Sequence, residues 1–254
     1  MRLKDKVAII TGGARGIGAA FAVGFAKEGS KIVIGDVRDG KETVEAVEKT
    51  GSQAIFVKTD VSRQDQCNVL AKAAMERFGS IDILVNNAGL FANIVLKPFI
   101  EITTEEWMRV MEVNTAGPFH CTKAVFPYMK GKGGKIINIS SASIFEGVPG
   151  MPHYVASKGA IMAFTRCMAR ELGPYNISVN SIAPGFTHSL GGDEFDKIKA
   201  LPIGPLDEIQ MPLRCLKRAA YPEDLVGTAT FLASEDSNFI TGQLIVHDGG
   251  MSFH

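Results

Sequence analysis

Seven short runs rich in valine and isoleucine recur along the chain, separated by longer segments of helical period. The runs are Val7–Thr11, Lys31–Asp36, Ala54–Thr59, Ile83–Asn86, Lys135–Ile139, Ser178–Ile182 and Leu244–Asp248. Helical periodicity falls near Ile17–Glu28, Lys41–Lys49, Gln64–Phe78, Glu105–Lys130, Tyr154–Leu172 and Glu223–Ala233. Near-continuous apolar strands alternating with helices describe a parallel sheet covered on both faces. Right-handed crossovers then predict a doubly wound α/β fold of about seven strands, with its ligand crevice at their carboxyl ends. No linker or repeat interrupts the pattern, so residues 1–254 are expected to form one domain. Only 186–213, rich in glycine and proline between a strand and a helix, breaks the rhythm. A connection that long is expected to act as a lid over a substrate.

Composition narrows the partners. Lysine plus arginine (27) equals aspartate plus glutamate (27), which gives no electrostatic reason to expect nucleic acid or an anionic membrane. The apolar run near the N-terminus is too short for a signal-peptide core or a membrane span. Cys67, Cys121, Cys167 and Cys215 lie far apart without a CxxC pair, and they read as small buried hydrophobes of a reducing, cytoplasmic protein. The five histidines show no ligand spacing, so no metal site is expected.

The first strand runs directly into Thr11-Gly12-Gly13-Ala14-Arg15-Gly16-Ile17-Gly18 and then a helix. Glycines there allow a tight turn and let the backbone approach a pyrophosphate at the positive end of the helix. Asp36 ends the second strand, 18 residues after Gly18, where a carboxylate can accept from both adenosine ribose hydroxyls and repel a 2′-phosphate. This favours NAD over NADP, although Arg15 and Arg38 could each reach a 2′-phosphate. Asp60 and Val61 follow the third strand, placed for an adenine edge and face. Asn86-Asn87-Ala88-Gly89 follows the fourth, with strand-tying and cofactor roles both expected.

Tyr154 and Lys158 stand four residues apart, on one face of a predicted helix. A phenol with a pKa of about 10 is a poor base at neutral pH. Lowering it to near 7 asks for about 4 kcal/mol, which one charge at about 4 Å in an effective dielectric of ~20 supplies. Lys158 is therefore expected to loosen the Tyr154 proton. Ser141 sits 13 residues earlier and reaches Tyr154 only if the loop between them doubles back; Ser140 and Ser143 compete with it. Asn114 precedes Pro118 by four residues, inside a helix opened by a Thr103-x-x-Glu106 capping box. Proline lacks the donor for the Asn114 carbonyl, so a bend is expected there, as a packing kink or as a water-holding carbonyl beside Lys158.

Together these residues resemble the short-chain dehydrogenase/reductase family, in the subclass whose chains are this length. The match runs from the TGxxxGxG turn through Asp36, Asp60, the NNAG segment, Asn114, Ser141, Tyr154 and Lys158. It continues through Asn180, Pro184-Gly185 and the closing ITGQ and DGG segments. The resemblance implies a Rossmann-type fold and an Asn114–Ser141–Tyr154–Lys158 tetrad. It selects Ser141 among the serines and gives Asn114 a catalytic role. Tyr154 would act as acid in reduction and base in oxidation, while Lys158 would also hold the nicotinamide ribose. Cofactor contacts would come from Gly12, Arg15, Gly16, Ile17, Gly18, Asp36, Asp60, Val61, Asn87, Ala88 and Gly89, and from Pro184 and Gly185. Thr187 and Ser189 both fit the position that follows. The resemblance also implies a homotetramer, paired through the helices of Asn114 and Tyr154 and through the last strand.

The expected activity is NAD(H)-dependent interconversion of a secondary alcohol and its ketone. Ser141, Phe145, Tyr154 and Phe186 are the expected substrate contacts. With Phe91, Met151, Leu190 and Met211 they predict an apolar or aromatic pocket, sugar-like or cyclic polyols staying open. Two rivals share the fold: an NADPH-dependent reductase of 3-oxoacyl thioesters, and a non-catalytic cofactor sensor. Asp36 and the neutral charge balance weigh against the first, and an intact tetrad against the second.

Overall fold

A computed structural model of the protein describes residues 1–189 and 209–253. Its seven strands are β1 (Val7–Thr11), β2 (Lys31–Asp36), β3 (Ala54–Lys58), β4 (Ile83–Asn86), β5 (Gly134–Ile139), β6 (Ile177–Pro184) and β7 (Leu244–His247). All pair in parallel, in one sheet of order β3-β2-β1-β4-β5-β6-β7. Successive crossovers run outward from β1 in one direction and from β4 in the other. The crevice above the β1/β4 pair is therefore a topological switch point, the place where a doubly wound sheet binds ligands.

The helices are α1 (Gly16–Lys27), α2 (Lys41–Glu48), α3 (Gln64–Phe78), α4 (Thr104–Met111), α5 (Gly117–Met129), α6 (Ser143–Glu146), α7 (Pro152–Leu172) and α8 (Pro222–Ala233). Alternate strand residues feed two cores because successive side chains leave opposite faces of a sheet. Ala8, Ile10, Ile32 and Ile34 pack with Phe21 and Phe25 of α1 and Leu225 and Leu232 of α8. Val7, Ile9 and Val33 pack on the other face with Leu70 of α3, Val125 of α5 and Leu172 of α7. Every residue of β1 and β4 is buried, which is why those runs read as unbroken apolar stretches.

Three features differ from the expectation. The long helix predicted over Glu105–Lys130 is α4 and α5 joined by a π turn at Glu112–Ala116, closed by Gly117 N–H on the Glu112 carbonyl. Pro118 lies in the first turn of α5, so the chain absorbs its missing donor as a wider turn. The single turn α6 went unpredicted. Cys67 and Cys121 are buried, their sulfurs 3.5 Å apart, but Cys167 and Cys215 are exposed rather than buried. Residues 190–208, the larger part of the expected lid, lie outside the described residues.

Candidate active site

The β1–α1 turn is fastened to β4 by side chains. Asn87 Nδ2 donates to the carbonyls of Thr11 and Gly12, each at 3.0 Å. The Thr11 hydroxyl accepts from the backbone N–H groups of Asn87 and Ala88, both at 3.1 Å. Gly12 has φ +63°, and a Cβ there would stand 2.8 Å from Ala88 Cα. On Gly18 a Cβ would fall 2.2 Å from the Gly12 carbonyl oxygen, so this glycine packs the helix against its own turn. The expected double role of the asparagine pair holds on its structural side: Asn86 Nδ2 donates to Asn138 Oδ1 at 2.8 Å, tying β4 to β5.

This turn forms one end of a cavity of about 400 Å³ along the carboxyl edge of the sheet. Gly12, Arg15, Gly16 and Ile17 line it from β1–α1, and Asp36, Asp60, Val61, Asn87, Ala88 and Gly89 from the ends of β2, β3 and β4. Gly18 stands behind this lining. Backbone N–H groups fix the carboxylate of Asp36: Ala14 donates to Oδ2 at 3.0 Å and Arg38 to Oδ1 at 2.9 Å. Each oxygen keeps a second lone pair for a donor in the cavity. Arg38, also a lining residue, stays beside it. Burial raises the Asp60 carboxyl, but hydrogen bonds from Ser62 and the nearby Arg109 outweigh it and hold the group below the usual carboxylate range.

Beyond β5 the cavity meets the predicted catalytic residues. Ser141, Tyr154 and Lys158 all line it. The loop after Ser141 does double back, through α6 and the left-handed Gly147, and brings Ser141 to the same stretch of cavity wall as Tyr154. The competing serines take other places. Ser140 donates to the Lys158 carbonyl at 2.8 Å, fastening α7 to the end of β5. Among the described residues the buried Ser143 hydroxyl has no hydrogen-bond partner. Lys158 Nζ donates to the Ile139 carbonyl at 2.8 Å and lies 5.7 Å from the centroid of the Tyr154 ring.

Asn114 stands one layer behind. Its Oδ1 accepts from Leu90 N–H at 2.7 Å, and its Nδ2 donates to the Leu90 carbonyl at 3.2 Å and to Ser157 Oγ at 3.1 Å. The π turn thus grips both the β4 loop and α7 through the Asn114 side chain. A Cβ on Gly89 would stand 3.3 Å from Asn114 Oδ1 and 3.5 Å from Lys158 Nζ, so a side chain here would crowd the ammonium.

Burial corrects the expected electrostatics. It pushes the Tyr154 phenol up to about 12; the nearby Ser141 hydroxyl pulls the other way, and Glu146 adds a further upward push. Burial also pulls the Lys158 ammonium down to about 8. Removing both groups from water disfavours both charged forms. At neutral pH the phenol is a held proton, suited to donation.

The far end of the cavity is mixed in character. Phe91, Met151 and Phe186 line it as expected, with the Phe91 and Tyr154 rings 5.2 Å apart between centroids. Phe145 does not; it is 36% exposed and absent from the lining. One turn of helix explains this, since Ser143 and Glu146, three apart, share the inner face of α6 and turn Phe145 outward. Met211 is likewise absent from the lining, and Leu190 falls outside the described residues. Glu146 and Gln210 line the cavity unpredicted, beside Ser143; the only cue for Glu146 was helical spacing, in a segment too short to show a period. Pro184, Gly185, Thr187 and Ser189 complete the lining, with the Thr187 hydroxyl donating to the Gly185 carbonyl at 3.0 Å. Arg214, almost fully buried, clamps this side by donating to the Phe186 carbonyl at 2.9 Å. Among the described residues no cluster of metal-ligating side chains occurs, and no helix is long and apolar enough to cross a membrane.

A fold of this order, with this cavity, has many relatives. The family model described as enoyl-(acyl carrier protein) reductase matches residues 12–252. The chain belongs to the short-chain dehydrogenase/reductase family. It is therefore related to oxidoreductases throughout its length. Galactitol 2-dehydrogenase of Agrobacterium fabrum is 41% identical over 256 residues, covering 98% of each protein. A 3-oxoacyl-[acyl-carrier-protein] reductase of Chlamydia muridarum is 35% identical over 260 residues, again covering 98% of each. Among solved structures, carveol dehydrogenase from Mycobacterium avium in complex with NAD superposes with a TM-score of 0.91 at 27% identity, covering 98% of each chain.

Proposed function

We propose that this member of the short-chain dehydrogenase/reductase family interconverts a secondary alcohol and its ketone, using NAD(H). The observation that carries the reading is that Ser141, Tyr154 and Lys158 line one end of a cavity whose other end holds Asp36. One cavity thus offers a proton donor at one end and a ribose-binding carboxylate at the other. The residues fit a nicotinamide dinucleotide: close-packed glycines at Gly12 and Gly18 leave the backbone bare, and Asp36 faces the cavity with free lone pairs. When bound, that cofactor accepts or returns the hydride.

The chain's own residues handle the proton. Ser141 donates to the substrate oxygen and orients it, while Tyr154 gives a proton in reduction and takes one in oxidation. Lys158, buried behind the phenol, supplies the positive charge that stabilises a phenolate, and its side of the cavity would meet the nicotinamide ribose. Asn114 holds the Lys158 helix against the β4 loop. Asp60, Val61, Asn87, Ala88 and Gly89 border the adenosine and ribose positions, and Pro184, Gly185, Thr187 and Ser189 the nicotinamide side.

Asp36 supports NAD over NADP by repelling a 2′-phosphate, and the NAD complex of carveol dehydrogenase agrees with that reading. The Chlamydia relative keeps thioester reduction as a second reading, favoured by Arg15 and Arg38 beside Asp36. Exposed Trp107, Met108, Phe119 and Tyr128 along α4 and α5 support a homotetramer paired through these helices. Four free cysteines suit the cytoplasm. The test is a panel of secondary alcohols with NAD⁺ and ketones with NADH, followed at the NADH absorbance. Turnover of alcohols supports the reading; reaction with thioesters and NADPH alone would replace it.

A further inference from the structure

The inner face of α6 carries two polar groups that the proton chemistry does not use. Ser143 is 6% exposed, lines the cavity, and its hydroxyl has no hydrogen-bond partner among the described residues. Glu146 lines the same wall one helical turn on, and Gln210 Nε2 donates to its Oε2 across a long 3.4 Å. A carboxylate offers about four acceptor positions, so most of this one's capacity faces the cavity. A buried hydroxyl without a partner normally costs about 1–3 kcal/mol, which a ligand supplying that partner would recover.

Both groups stand close to the reacting position. The backbone N–H of Ser143 donates to Ser141 Oγ at 3.2 Å, and the Glu146 charge is felt at the Tyr154 phenol. Phe91, Met151 and Phe186 add apolar surface to the same cavity. Such a pocket fits a molecule that carries both C–H groups and hydroxyls.

Resting on the alcohol–ketone reading above, we infer that Ser143 and Glu146 form a hydroxyl-recognising subsite, which makes the substrate a neutral polyhydroxylated alcohol or its hydroxyketone. The hydroxyl that Glu146 accepts from is on a carbon next to, or near, the one oxidised. Burial and the nearby Asp248 raise the Glu146 carboxyl, with Arg214 opposing them. A carboxylate already short of hydration favours donors such as hydroxyls and repels anionic substrates. This departs from the apolar pocket expected from Phe145.

The experiment compares kcat/KM with NAD⁺ for a vicinal cyclohexanediol, cyclohexanol and the matching amino alcohol. Wild type is expected to favour the diol over cyclohexanol by at least about tenfold. In Glu146→Gln that ratio is expected to fall at least about tenfold, and in Ser143→Ala about threefold or more, chiefly through KM. Thermal unfolding and NADH binding of both variants show whether the fold is kept. If cyclohexanol is the better substrate and neither variant moves the ratio, the subsite is wrong while the alcohol–ketone reading stands. A preference for the amino alcohol would make Glu146 a cation site and overturn the inference. No turnover of any alcohol would remove both.

Discussion

The amide of Asn114 lies 3.1 Å from the hydroxyl of Ser157, and that hydroxyl in turn donates to the Tyr154 carbonyl at 2.7 Å. A π turn in one helix is thereby tied to the helix that carries both Tyr154 and Lys158.

Asn114→Ala removes the partner of two Leu90 backbone groups and of Ser157 in a buried setting. Stability should fall by about 1–3 kcal/mol, read by denaturant unfolding. The kcat should fall by about 10- to 100-fold as the Lys158 helix shifts, with less change in cofactor KM. Unchanged kcat would show that this tie does not hold the site.

Asp36→Asn keeps an acceptor for one backbone N–H but removes the negative charge. The KM for NAD⁺ should rise about tenfold and that for NADP⁺ should fall, as measured by initial rates with each cofactor. If NADP⁺ is already the better cofactor of the wild type, the ribose reading of Asp36 is mistaken.

The two buried pKa values set a sign for pH dependence. Lys158, lowered to about 8, is cationic below that pH and loses its charge above it, while Tyr154, raised to about 12, keeps its proton throughout. Ketone reduction should therefore run level at neutral pH and decline above about pH 8, where the charge that stabilises the phenolate left by proton donation is lost. Initial rates between about pH 6 and about pH 10 check this, and a reduction rate that climbs through that range would refute it.

The central strands were legible because burial on both faces makes them read as unbroken apolar runs, β1 and β4 being the plainest cases. Asp36, the Gly12–Gly18 turn and the Tyr154–Lys158 pair were legible because strand ends and helical spacing place them at one edge. Glu146 was not, since a glutamate just before a glycine- and proline-rich stretch resembles any solvated loop residue. The direction of the Tyr154 shift was also hidden: spacing shows that an ammonium is near, but only burial shows how much water both groups have lost. Pro118 predicted a bend, yet whether the backbone kinks or widens into a π turn depends on Asn114 finding Leu90 and Ser157, both distant in sequence.

The central claim is that Tyr154 exchanges the proton with the substrate oxygen. Tyr154→Phe retains the ring against Phe91 and removes only the hydroxyl, so NADH binding, measured by fluorescence titration, should stay within about twofold of wild type while turnover falls by about 100-fold or more. Turnover near the wild-type rate in this variant, with cofactor still bound, would contradict the account.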